Sequence, residues 1–408
     1  MKYVMILPDG CADEPIPMLG DRTILEAARI PNMTQIARQG IVGWSNNTPK
    51  ALAAGSDVAT MSLLGYDPMV FYTGRAPLEA AAMGIEMGPE DWAVRCNLVT
   101  IENGKMVSFN AEQITSEEGA ELIEAAQERL GSETVTFFSG VSYRNIVLWR
   151  ELPDFPAPFG EETRTFAPHD YSDSSIFGAH PQGPGSVELT KLMSEVHRIF
   201  SDHPVNRRRI ANGKKPATDV WLWGQGRKPS MPTFTERFGK TGAMITAVDL
   251  LRGLAVNLGW DCIPVEGATG FFNTNFKGKG EAAAAALEKY DVVCVHVEAT
   301  DEAGHDGDPK TKVYSLEQID EHIVGPLHEA AKKYGEYRIL VTPDHPTPCR
   351  LKTHTHLNVP WLMCGTGFQS NGIGVYTEAE AAKSAVHFEN GFEMMEFFMN
   401  GTMEIGDC

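Results

Sequence analysis

The sequence predicts an α/β protein built on a doubly wound, mostly parallel sheet. Short apolar runs recur along the chain without polar alternation, as expected for strands that are buried on both faces. Stretches with helical patterns separate several of these runs. The chain has 408 residues, which exceeds the size at which one hydrophobic core stops growing, so a second domain is expected beside the sheet.

The strands and helices of the predicted sheet follow one another along the chain. The runs predicted as strands are residues 3–7, 292–297, 338–342 and 359–364. An alanine-rich helix at about residues 281–290 precedes the second run, and a helix at about residues 316–334 precedes the third. This alternation of helix and strand is typical of βαβ units and hence of a parallel sheet.

The middle of the chain has another pattern and predicts an inserted α+β domain at residues 95–213. Residues 1–94 and 214–408 then form the core domain. Within the insertion, Thr115 and Glu118 form a capping box for a helix to about residue 130. The elements expected after it are strands at 135–138 and 143–149, a proline- and glycine-rich loop at 153–185, and a helix at 187–200.

The formal net charge of −19 restricts the partners of this protein. Such a surface argues against binding to nucleic acid or to an anionic membrane, and it favours solubility. If the substrate is an anionic phosphate ester, the site must contain local positive charge that the average conceals. Bound metal ions and a few arginines would supply that charge.

The seven cysteines and the N-terminal segment indicate a cytoplasmic protein. The cysteines are odd in number, widely spread and without a CxxC pair, which predicts reduced thiols rather than disulfides or a zinc–thiolate site. The apolar run at residues 3–7 is too short for a signal peptide. No stretch approaches the ~20 apolar residues that a membrane helix needs.

Three of the predicted strands are followed by aspartates. Asp9 follows the first strand, Asp301 follows the second with His305 four residues later, and Asp344 with His345 follows the third. Ligands bind at the carboxyl ends of the strands in an open α/β sheet, so these side chains are expected to converge there. A further candidate, His354, precedes the strand at 359–364.

Carboxylates and imidazoles without a thiolate are the ligands that Mn²⁺ or Zn²⁺ accepts. A catalytic ion usually takes about three protein ligands, so six candidates favour two ions. Two ions about 3.5–4 Å apart can stabilise the entering and leaving oxygens of an in-line phosphoryl displacement. Taken singly, each aspartate could be a turn residue or helix cap and each histidine structural. Asp-His at adjacent positions after one strand together with Asp-x-x-x-His after another is much less common by chance than any single one of these residues.

Ser56 is the candidate nucleophile. It opens a short helical pattern that stops at Gly65. A serine in that place could serve only as an N-cap. The free N–H groups of a helix N-terminus also stabilise a phosphorylated side chain, and a serine hydroxyl bound to a metal ion is nucleophilic at neutral pH.

Several short segments match a known family. One set is Pro8-Asp9-Gly10, Gly55-Ser56-Asp57-Val58, Asp301-Glu302-Ala303-Gly304-His305, Asp344-His345 and Lys352-Thr353-His354-Thr355. With these segments the chain resembles the alkaline-phosphatase superfamily. A second set resembles the archaeal-type branch of its cofactor-independent phosphoglycerate mutases: Tyr72-Thr73-Gly74-Arg75-Ala76-Pro77-Leu78-Glu79-Ala80-Ala81, His203-Pro204-Val205-Asn206, Val265-Glu266-Gly267-Ala268-Thr269-Gly270 and His296-Val297-Glu298-Ala299-Thr300-Asp301.

The resemblance implies an alkaline-phosphatase-like sheet with an inserted α+β domain and a two-metal site. One metal ion would be held by Asp9, Ser56, Asp344 and His345, and the other by Asp301, His305 and His354. Counting back from Pro360 by the spacing found in the family places the histidine ligand at His354. His356, two residues further on, is the alternative. Mn²⁺ is the expected metal, with Zn²⁺, Co²⁺ or Mg²⁺ as alternatives. Bisphosphoglycerate is not needed.

The resemblance also implies an isomerase of glycolysis and gluconeogenesis that interconverts 2-phosphoglycerate and 3-phosphoglycerate. Ser56 would take the phosphoryl group from one hydroxyl of the small-molecule substrate and return it to the other. Arginine binds carboxylate and phosphate bidentately. The expected substrate-binding residues are Arg75, Arg144, His169, Arg209 and Lys240, each of which could instead be a solvated surface charge.

Two further activities use the same phosphoryl chemistry. Bacterial relatives of this branch have been suggested to act as homoserine kinases or phosphotransferases, and the motifs alone do not separate them from the mutase. A phosphomonoesterase is the other alternative, and it would release free phosphate. A metal-binding scaffold without activity would be expected to have a damaged ligand set, whereas every expected ligand type is present. The oligomeric state is not predicted.

Overall fold

The computed structural model describes residues 1–401 and divides into two units. The first unit contains residues 1–72 and the chain from Met231 onward, and the second is Thr73–Ser230. The second unit is therefore longer than the insertion expected at 95–213. The reason is that helix Arg75–Ala82 packs on strands Trp92–Glu102 and Asp219–Arg227, which are paired with each other.

The first unit is built on an eight-stranded, mostly parallel sheet, which confirms the predicted fold class. The spatial order of the strands is β13-β2-β12-β11-β1-β10-β8-β9. Their bounds are β1 Lys2–Pro8, β2 Ile41–Ser45, β8 Gly242–Ile245, β9 Asp261–Cys262, β10 Val292–Val297, β11 Tyr337–Val341, β12 Val359–Gly365 and β13 His387–Phe388. The four strands predicted from apolar runs are all present, and the central β1, β10 and β11 are buried on both faces.

Helices surround this sheet. Their bounds are α1 Ile24–Ala27, α2 Pro31–Gln39, α3 Ser56–Leu63, α4 Pro68–Phe71, α9 Phe234–Phe238, α10 Asp249–Asn257, α11 Phe276–Ala286, α12 Ala299–Asp306, α13 Pro309–Ile319, α14 Gly325–Lys332, α15 Glu378–Ala381 and α16 Met394–Asn400. Short 3₁₀ helices lie at Pro17–Leu19 and Gly391–Glu393. Among residues 1–401, no helix combines the length and the apolar character needed to cross a bilayer.

The helix expected at residues 316–334 is part of a longer helical segment. Helix α13 continues through a π-helical turn, Asp320–Val324, into α14. The Asp320 carboxylate accepts hydrogen bonds from the backbone N–H groups of Asn32 (3.1 Å) and Met33 (2.7 Å) at the start of α2. The widened turn therefore carries a side chain that supplies the N-terminal acceptor which α2 lacks.

Strand β12 departs from the parallel pattern. It pairs antiparallel with β11 on one side and with β2 on the other. In the register, Val341 at the end of β11 lies opposite Leu362, so the first residues of β12 lie beyond the carboxyl end of β11. The segment that enters β12 therefore arrives at the edge where the parallel strands end.

The second unit has its own sheet and core. Its five strands are β3 Trp92–Glu102, β4 Lys105–Ser108, β5 Val135–Phe138, β6 Arg144–Trp149 and β7 Asp219–Arg227, with β3 paired to β4, β6 and β7. The helices are α5 Arg75–Ala82, α6 Ser116–Leu130, α7 Ser186–Ser201 and α8 Pro204–Ala211. The capping box at Thr115 and Glu118 is present as predicted. In the expected loop at 153–185, a 3₁₀ helix forms at Pro168–Tyr171.

Candidate metal centre

Three aspartates meet at the carboxyl edge of the first unit's sheet. Asp9 follows β1, Asp344 follows β11, and Asp301 lies in the first turn of α12 after β10. Asp9 and Asp344 are at most 1% exposed, and Asp301 is 5% exposed. Like charges buried so close together repel, and burial removes the water that would otherwise solvate them. The folded protein therefore needs compensating positive charge at this point.

Two carboxylate oxygens of this group accept no hydrogen bond from any residue that the structure describes. They are Asp9 Oδ1 and Asp344 Oδ2, and both are buried. The other oxygen of Asp344 accepts bonds from the backbone N–H groups of Gly10 (3.2 Å) and His345 (2.9 Å). A buried anionic oxygen without a donor is costly unless a cation binds it. The donor set therefore fits a metal ion.

Histidines complete two adjoining groups. His305 Nε2 lies 3.1 Å from Asp301 Oδ2 and 2.9 Å from His354 Nε2, so these two rings converge beside Asp301. His345 Nε2 lies 3.5 Å from Asp9 Oδ1 and 3.4 Å from Asp344 Oδ2. Ligand atoms of Asp301, His305 and His354 lie within 4.8 Å of one another, and the same holds for Asp9, Asp301 and His345. The structure thus brings together all six predicted carboxylate and imidazole candidates.

His354 rather than His356 belongs to this group. The Nε2 atom of His354 lies 3.5 Å from Asp301 Oδ1, and its Nδ1 is 3.0 Å from the Ala54 carbonyl oxygen. The Nδ1 atom of His356 is instead 3.1 Å from the Thr48 carbonyl oxygen. The antiparallel direction of β12 explains why His354, which precedes its strand, joins residues that follow theirs.

The pKa values of these groups show the charge imbalance of the metal-free centre. Burial, with help from Asp344 and Asp301, raises the pKa of Asp9 well above its usual range. Burial also opposes ionisation of Asp301, but hydrogen bonds from His305 and His354 lower the pKa of Asp301 well below its usual range. The hydrogen bond to Asp301 raises the pKa of His305 to about 9. The crowding of buried carboxylates and imidazoles thus shifts the pKa values of both kinds of group.

Ser56 lies within the same group. Its Oγ is 3.2 Å from Asp9 Oδ2 and 3.2 Å from His345 Nε2. The N-cap of α3 is Gly55, so Ser56 is the first helical residue rather than the cap. Its hydroxyl therefore points to the metal-ligand candidates while the residue remains at a helix N-terminus.

Further side chains hold these candidate ligands in place. His296 Nε2 lies 2.8 Å from Asp9 Oδ2. Thr347 Oγ1 donates to Asp301 Oδ1 and lies 3.3 Å from His345 Nδ1, while Thr300 Oγ1 donates to the Asp9 carbonyl oxygen at 2.5 Å. Nothing in the pattern of residues marks the two threonines for selection. His296 is a histidine within a strand of otherwise apolar, fully buried residues, which is a signal that could have marked it.

A buried ion pair anchors the loops that carry the aspartates. Lys312 Nζ lies 2.9 Å from Asp13 Oδ2 and donates to the Thr347 carbonyl oxygen at 2.7 Å, and both charged side chains are at most 1% exposed. Asp13 also accepts a bond from the Cys349 backbone N–H at 3.1 Å. Lys312 on α13 thus ties the loop after β1 to the loop after β11.

The second unit contains a cluster of basic side chains. Arg95 Nε lies 2.8 Å from Glu79, and its guanidinium stacks 4.1 Å above the Trp223 ring. Burial lowers the pKa of Arg95, and Arg75 and Arg144 lower it further. The His169 ring lies 5.6 Å from the Trp223 ring, and its pKa is lowered by burial and by neighbouring arginines. We name this set the basic cluster; its members are Arg75, Arg95, Arg144 and His169.

Three of the five predicted substrate-binding residues therefore gather, and two do not. Arg209 is 1% exposed and donates to Glu118, to the Lys215 carbonyl oxygen at 2.9 Å and to the Ala111 carbonyl oxygen at 2.5 Å. Its guanidinium is thus used to hold the second unit together. Lys240 precedes β8, so it lies at the amino edge of the first unit's sheet, opposite the metal-ligand candidates.

Arg95 was not selected from the sequence. It lies in the middle of β3 among fully buried apolar neighbours. A charged residue inside such a run is almost never buried without a partner. That signal, together with Glu79 in a nearby helix, could have marked it.

Comparisons with known proteins agree with this geometry. The family model described as "2,3-bisphosphoglycerate-independent phosphoglycerate mutase" matches residues 37–206. A protein from Geobacter sulfurreducens named "Probable 2,3-bisphosphoglycerate-independent phosphoglycerate mutase" is 46% identical over 98% of this chain and 100% of its own. A protein from Methanothrix thermoacetophila, named as such a mutase, is 43% identical over 98% and 100%.

Two solved structures are similar to this chain over almost its whole length. A protein from Pyrococcus horikoshii matches with a TM-score of 0.81 and 29% identity, over 100% of this chain and 99% of its own. The cofactor-independent phosphoglycerate mutase from Thermoplasma acidophilum matches with a TM-score of 0.67 and 27% identity, over 98% and 99%.

Proposed function

Because this chain belongs to the 2,3-bisphosphoglycerate-independent phosphoglycerate mutase family, we propose that it interconverts 2-phosphoglycerate and 3-phosphoglycerate through transient phosphorylation of Ser56 at a two-metal site. Members of this family are isomerases, and so is this chain. The reaction needs no bisphosphoglycerate, as the family description states.

The observation that carries the proposal is the position of the Ser56 hydroxyl. It lies 3.2 Å from both Asp9 and His345, beside two buried carboxylate oxygens that no described residue hydrogen-bonds. A serine that served only the helix would have its hydroxyl on the first-turn N–H groups, whereas here Gly55 holds the cap position.

The residues fit two divalent cations. Asp9, Ser56, Asp344 and His345 are the proposed ligands of one, and Asp301, His305 and His354 of the other. When bound, the cations would activate the serine hydroxyl and neutralise charge on the phosphoryl oxygens. We propose Mn²⁺, with Zn²⁺, Co²⁺ or Mg²⁺ as alternatives, because no cysteine joins the set and all ligands are oxygen or imidazole nitrogen.

The chain's own groups then perform a double displacement. Ser56 Oγ attacks phosphorus, the bond from phosphorus to the glycerate oxygen breaks, and the serine proton ends on that oxygen. The other glycerate hydroxyl then attacks the phosphoserine and frees Ser56, which regains a proton. The first-turn N–H groups of α3 stabilise the phosphorylated side chain. Because no net proton, water or phosphate is consumed, the product is an isomer of the substrate.

The basic cluster supplies the positive charge for the phosphoglycerate anion in this proposal. Its arginines offer planar forks that match carboxylate and phosphate oxygens. Arg95 is held by Glu79 and Trp223, so its orientation is fixed before any ligand binds. Arg144 is exposed and able to reach a ligand.

The proposal is tested with purified, Mn²⁺-loaded protein and 3-phosphoglycerate in an enolase-coupled assay. We expect turnover in the wild type and a loss of at least about 10⁴-fold in Ser56→Ala, since the nucleophile is removed. Ser62→Ala is the matched control, because Ser62 lies in the last turn of the same helix and is not among the proposed ligands, and it should retain activity. Full activity of Ser56→Ala would contradict the phosphoserine route.

The products separate the alternatives. A phosphomonoesterase would release inorganic phosphate as the main product, and a homoserine phosphotransferase would form phosphohomoserine from homoserine and a phosphoryl donor. Either outcome without phosphoglycerate isomerisation would replace the mutase assignment.

A further inference from the structure

His296 occupies a fully enclosed position behind Asp9. It lies in β10 and is 0% exposed. Its Nε2 is 2.8 Å from Asp9 Oδ2, and its Nδ1 is 3.1 Å from Thr246 Oγ1, just beyond the end of β8. The proposed mechanism gives no role to either His296 or Thr246.

The hydrogen bonds around Thr246 define which ring nitrogen donates. Thr246 Oγ1 accepts the Val248 backbone N–H at 3.1 Å, so its own hydrogen is available for His296 Nδ1. The ring then carries its hydrogen on Nε2. A fully protonated ring would donate from Nε2 as well, with Thr246 accepting a second bond. With Asp9 ionised, as a metal ligand must be, the remaining tautomer would set an Nε2 lone pair against a carboxylate oxygen 2.8 Å away, which is repulsive.

The bond from His296 fixes the rotation of the Asp9 carboxylate. Oδ2 receives His296 Nε2 and the Ser56 hydroxyl, whereas Oδ1 accepts no hydrogen bond from the residues that the structure describes. When one oxygen of a carboxylate is held by hydrogen bonds, the group does not rotate freely. The other oxygen is then presented to a cation in a single orientation. Such outer contacts to a ligand commonly set metal affinity.

We propose that His296, oriented by Thr246, is a positioning residue that holds Asp9 so that its Oδ1 binds a metal ion. This inference rests on the two-metal function proposed above. Asp9, His296 and Asp344 also offer atoms within 4.8 Å of one another, which could be taken as a metal site with His296 as a ligand. The donation from Nε2 to Asp9 leaves that nitrogen without a lone pair for a metal, so His296 acts through Asp9.

The test is a titration of metal-stripped protein with Mn²⁺. Binding is monitored by calorimetry and by the electron paramagnetic resonance signal of free Mn²⁺. Wild type should bind two ions. In His296→Leu, one of the two sites should lose about 10–100-fold in affinity, while the other changes little. His296→Gln should recover most of the loss, because a glutamine amide can donate to Asp9 from a similar position. Equal affinity in His296→Leu and wild type would overturn the proposal.

Two further variants keep the result decisive. Thr246→Val leaves the ring but removes the hydroxyl that orients it, and it should weaken the same site; if His296→Leu does not fold, an unchanged affinity in Thr246→Val overturns the proposal. His328→Leu is the matched control, since His328 is buried in the same unit and lies 3.0 Å from the Tyr337 hydroxyl. It should keep both affinities.

The outcome also separates this inference from the function on which it rests. A His296→Gln variant as weak as His296→Leu would show that the imidazole itself is needed, as a metal ligand would be, and would overturn the positioning role. Even then, the proposed function would stand if the wild-type protein binds two Mn²⁺ ions and isomerises phosphoglycerate. Wild type without either property would contradict the proposed function instead.

Discussion

Asp9 and Asp344, which follow β1 and β11, each have one carboxylate oxygen that accepts hydrogen bonds and one that accepts none from the described residues. Asp344 Oδ1 is held by two backbone N–H groups, and Asp9 Oδ2 by His296 and Ser56. The side chains therefore have their orientation before a cation binds, and little reorganisation is needed on binding. This arrangement depends on backbone positions that only certain residues can occupy.

Gly10 is one such position. Its φ of +62° is in the left-handed region, and a Cβ there would lie 2.4 Å from Asp301 Oδ1 and 2.5 Å from Thr347 Oγ1. We expect Gly10→Ala to lower the free energy of unfolding by more than the ~1–2 kcal/mol cost of the backbone alone, and to weaken Mn²⁺ binding. Urea unfolding and a Mn²⁺ titration measure the two effects.

Gly20→Ala is the matched control for this substitution. Gly20 has a φ of +72°, and no atom lies within 4 Å of the Cβ that would be added. It should lose only the backbone contribution and keep the affinity of wild type for Mn²⁺. Similar Mn²⁺ affinities in the two variants would show that the space beside Asp301 is not limiting.

Arg144 and Arg209 have different environments although both were expected to bind substrate. Arg144 is exposed beside the Tyr143 ring, whereas Arg209 is enclosed by its hydrogen-bond partners. We expect Arg144→Met to raise the KM for 3-phosphoglycerate by about tenfold or more with little change in stability. Arg209→Met should instead reduce stability by about 3–5 kcal/mol and leave KM unchanged, because it strands Glu118.

These two arginines also show what a single sequence does not contain. The partners of Arg209 include Glu118, 91 residues earlier in the chain. The run Arg207-Arg208-Arg209 is compatible with a solvated face, a substrate site or a structural contact, and only the fold selects among them. Kinetics and thermal unfolding of the Arg144→Met and Arg209→Met variants test this division of roles. A raised KM in Arg209→Met with normal stability would contradict the structural role of Arg209.

At the scale of elements, the convergence of the three aspartates could be predicted because each follows an apolar run that is long enough to identify a strand. His354 was a candidate because it precedes a strand, but only the family resemblance selected it over His356, since nothing in residues 359–364 indicates that β12 runs antiparallel. The basic strand residue Arg95 and the strand residue His296 were missed, because the partners that make them informative are far away in sequence.

Helix α13 contributes a further prediction through Lys312. Replacing Lys312 with Met leaves Asp13 as a buried, uncompensated charge and removes the bond to the Thr347 carbonyl oxygen. We expect the free energy of unfolding to fall by about 3–5 kcal/mol. Denaturant unfolding of the metal-free protein measures this.

The controls distinguish a buried pair from a surface pair. Glu380 on α15 and Lys383, which follows that helix, form an ion pair, and the Lys383 and Glu380 side chains are 65% and 38% exposed. Lys383→Met should change stability by less than ~1 kcal/mol. The double variant Lys312→Met with Asp13→Leu should recover part of the loss, because no charge is stranded. A loss in Lys312→Met no larger than that in Lys383→Met would contradict the anchoring role.

At the scale of the whole molecule, metal binding and pH are coupled. The hydrogen bond to Asp301 raises the pKa of His305 to about 9 in the metal-free protein. A raised histidine pKa contributes stability that is fully present below the unfolded pKa of about 6.5 and is lost as the pH rises through about 9. Metal-stripped protein should therefore lose stability over that pH range. Its affinity for Mn²⁺ should rise over the same range, because the proposed ligand His305 binds a cation only in its neutral form.

Unfolding of EDTA-treated protein and Mn²⁺ calorimetry between pH 6 and 10 measure both trends. Asn at this position cannot take up the proton, so His305→Asn should flatten the part of the stability profile between about 6.5 and 9. A wild-type profile parallel to that of His305→Asn would show that His305 does not retain its proton in the folded chain.

The division of the first unit into two stretches of sequence has a consequence for synthesis on the ribosome. Residues 73–230 form one contiguous stretch with its own core and can fold as soon as they emerge. The proposed metal centre combines Asp9 and Ser56 from the beginning of the chain with His354 from near its end. In this proposal, Asp9 and Ser56 are therefore synthesised long before the last residues that would complete the cation site with them.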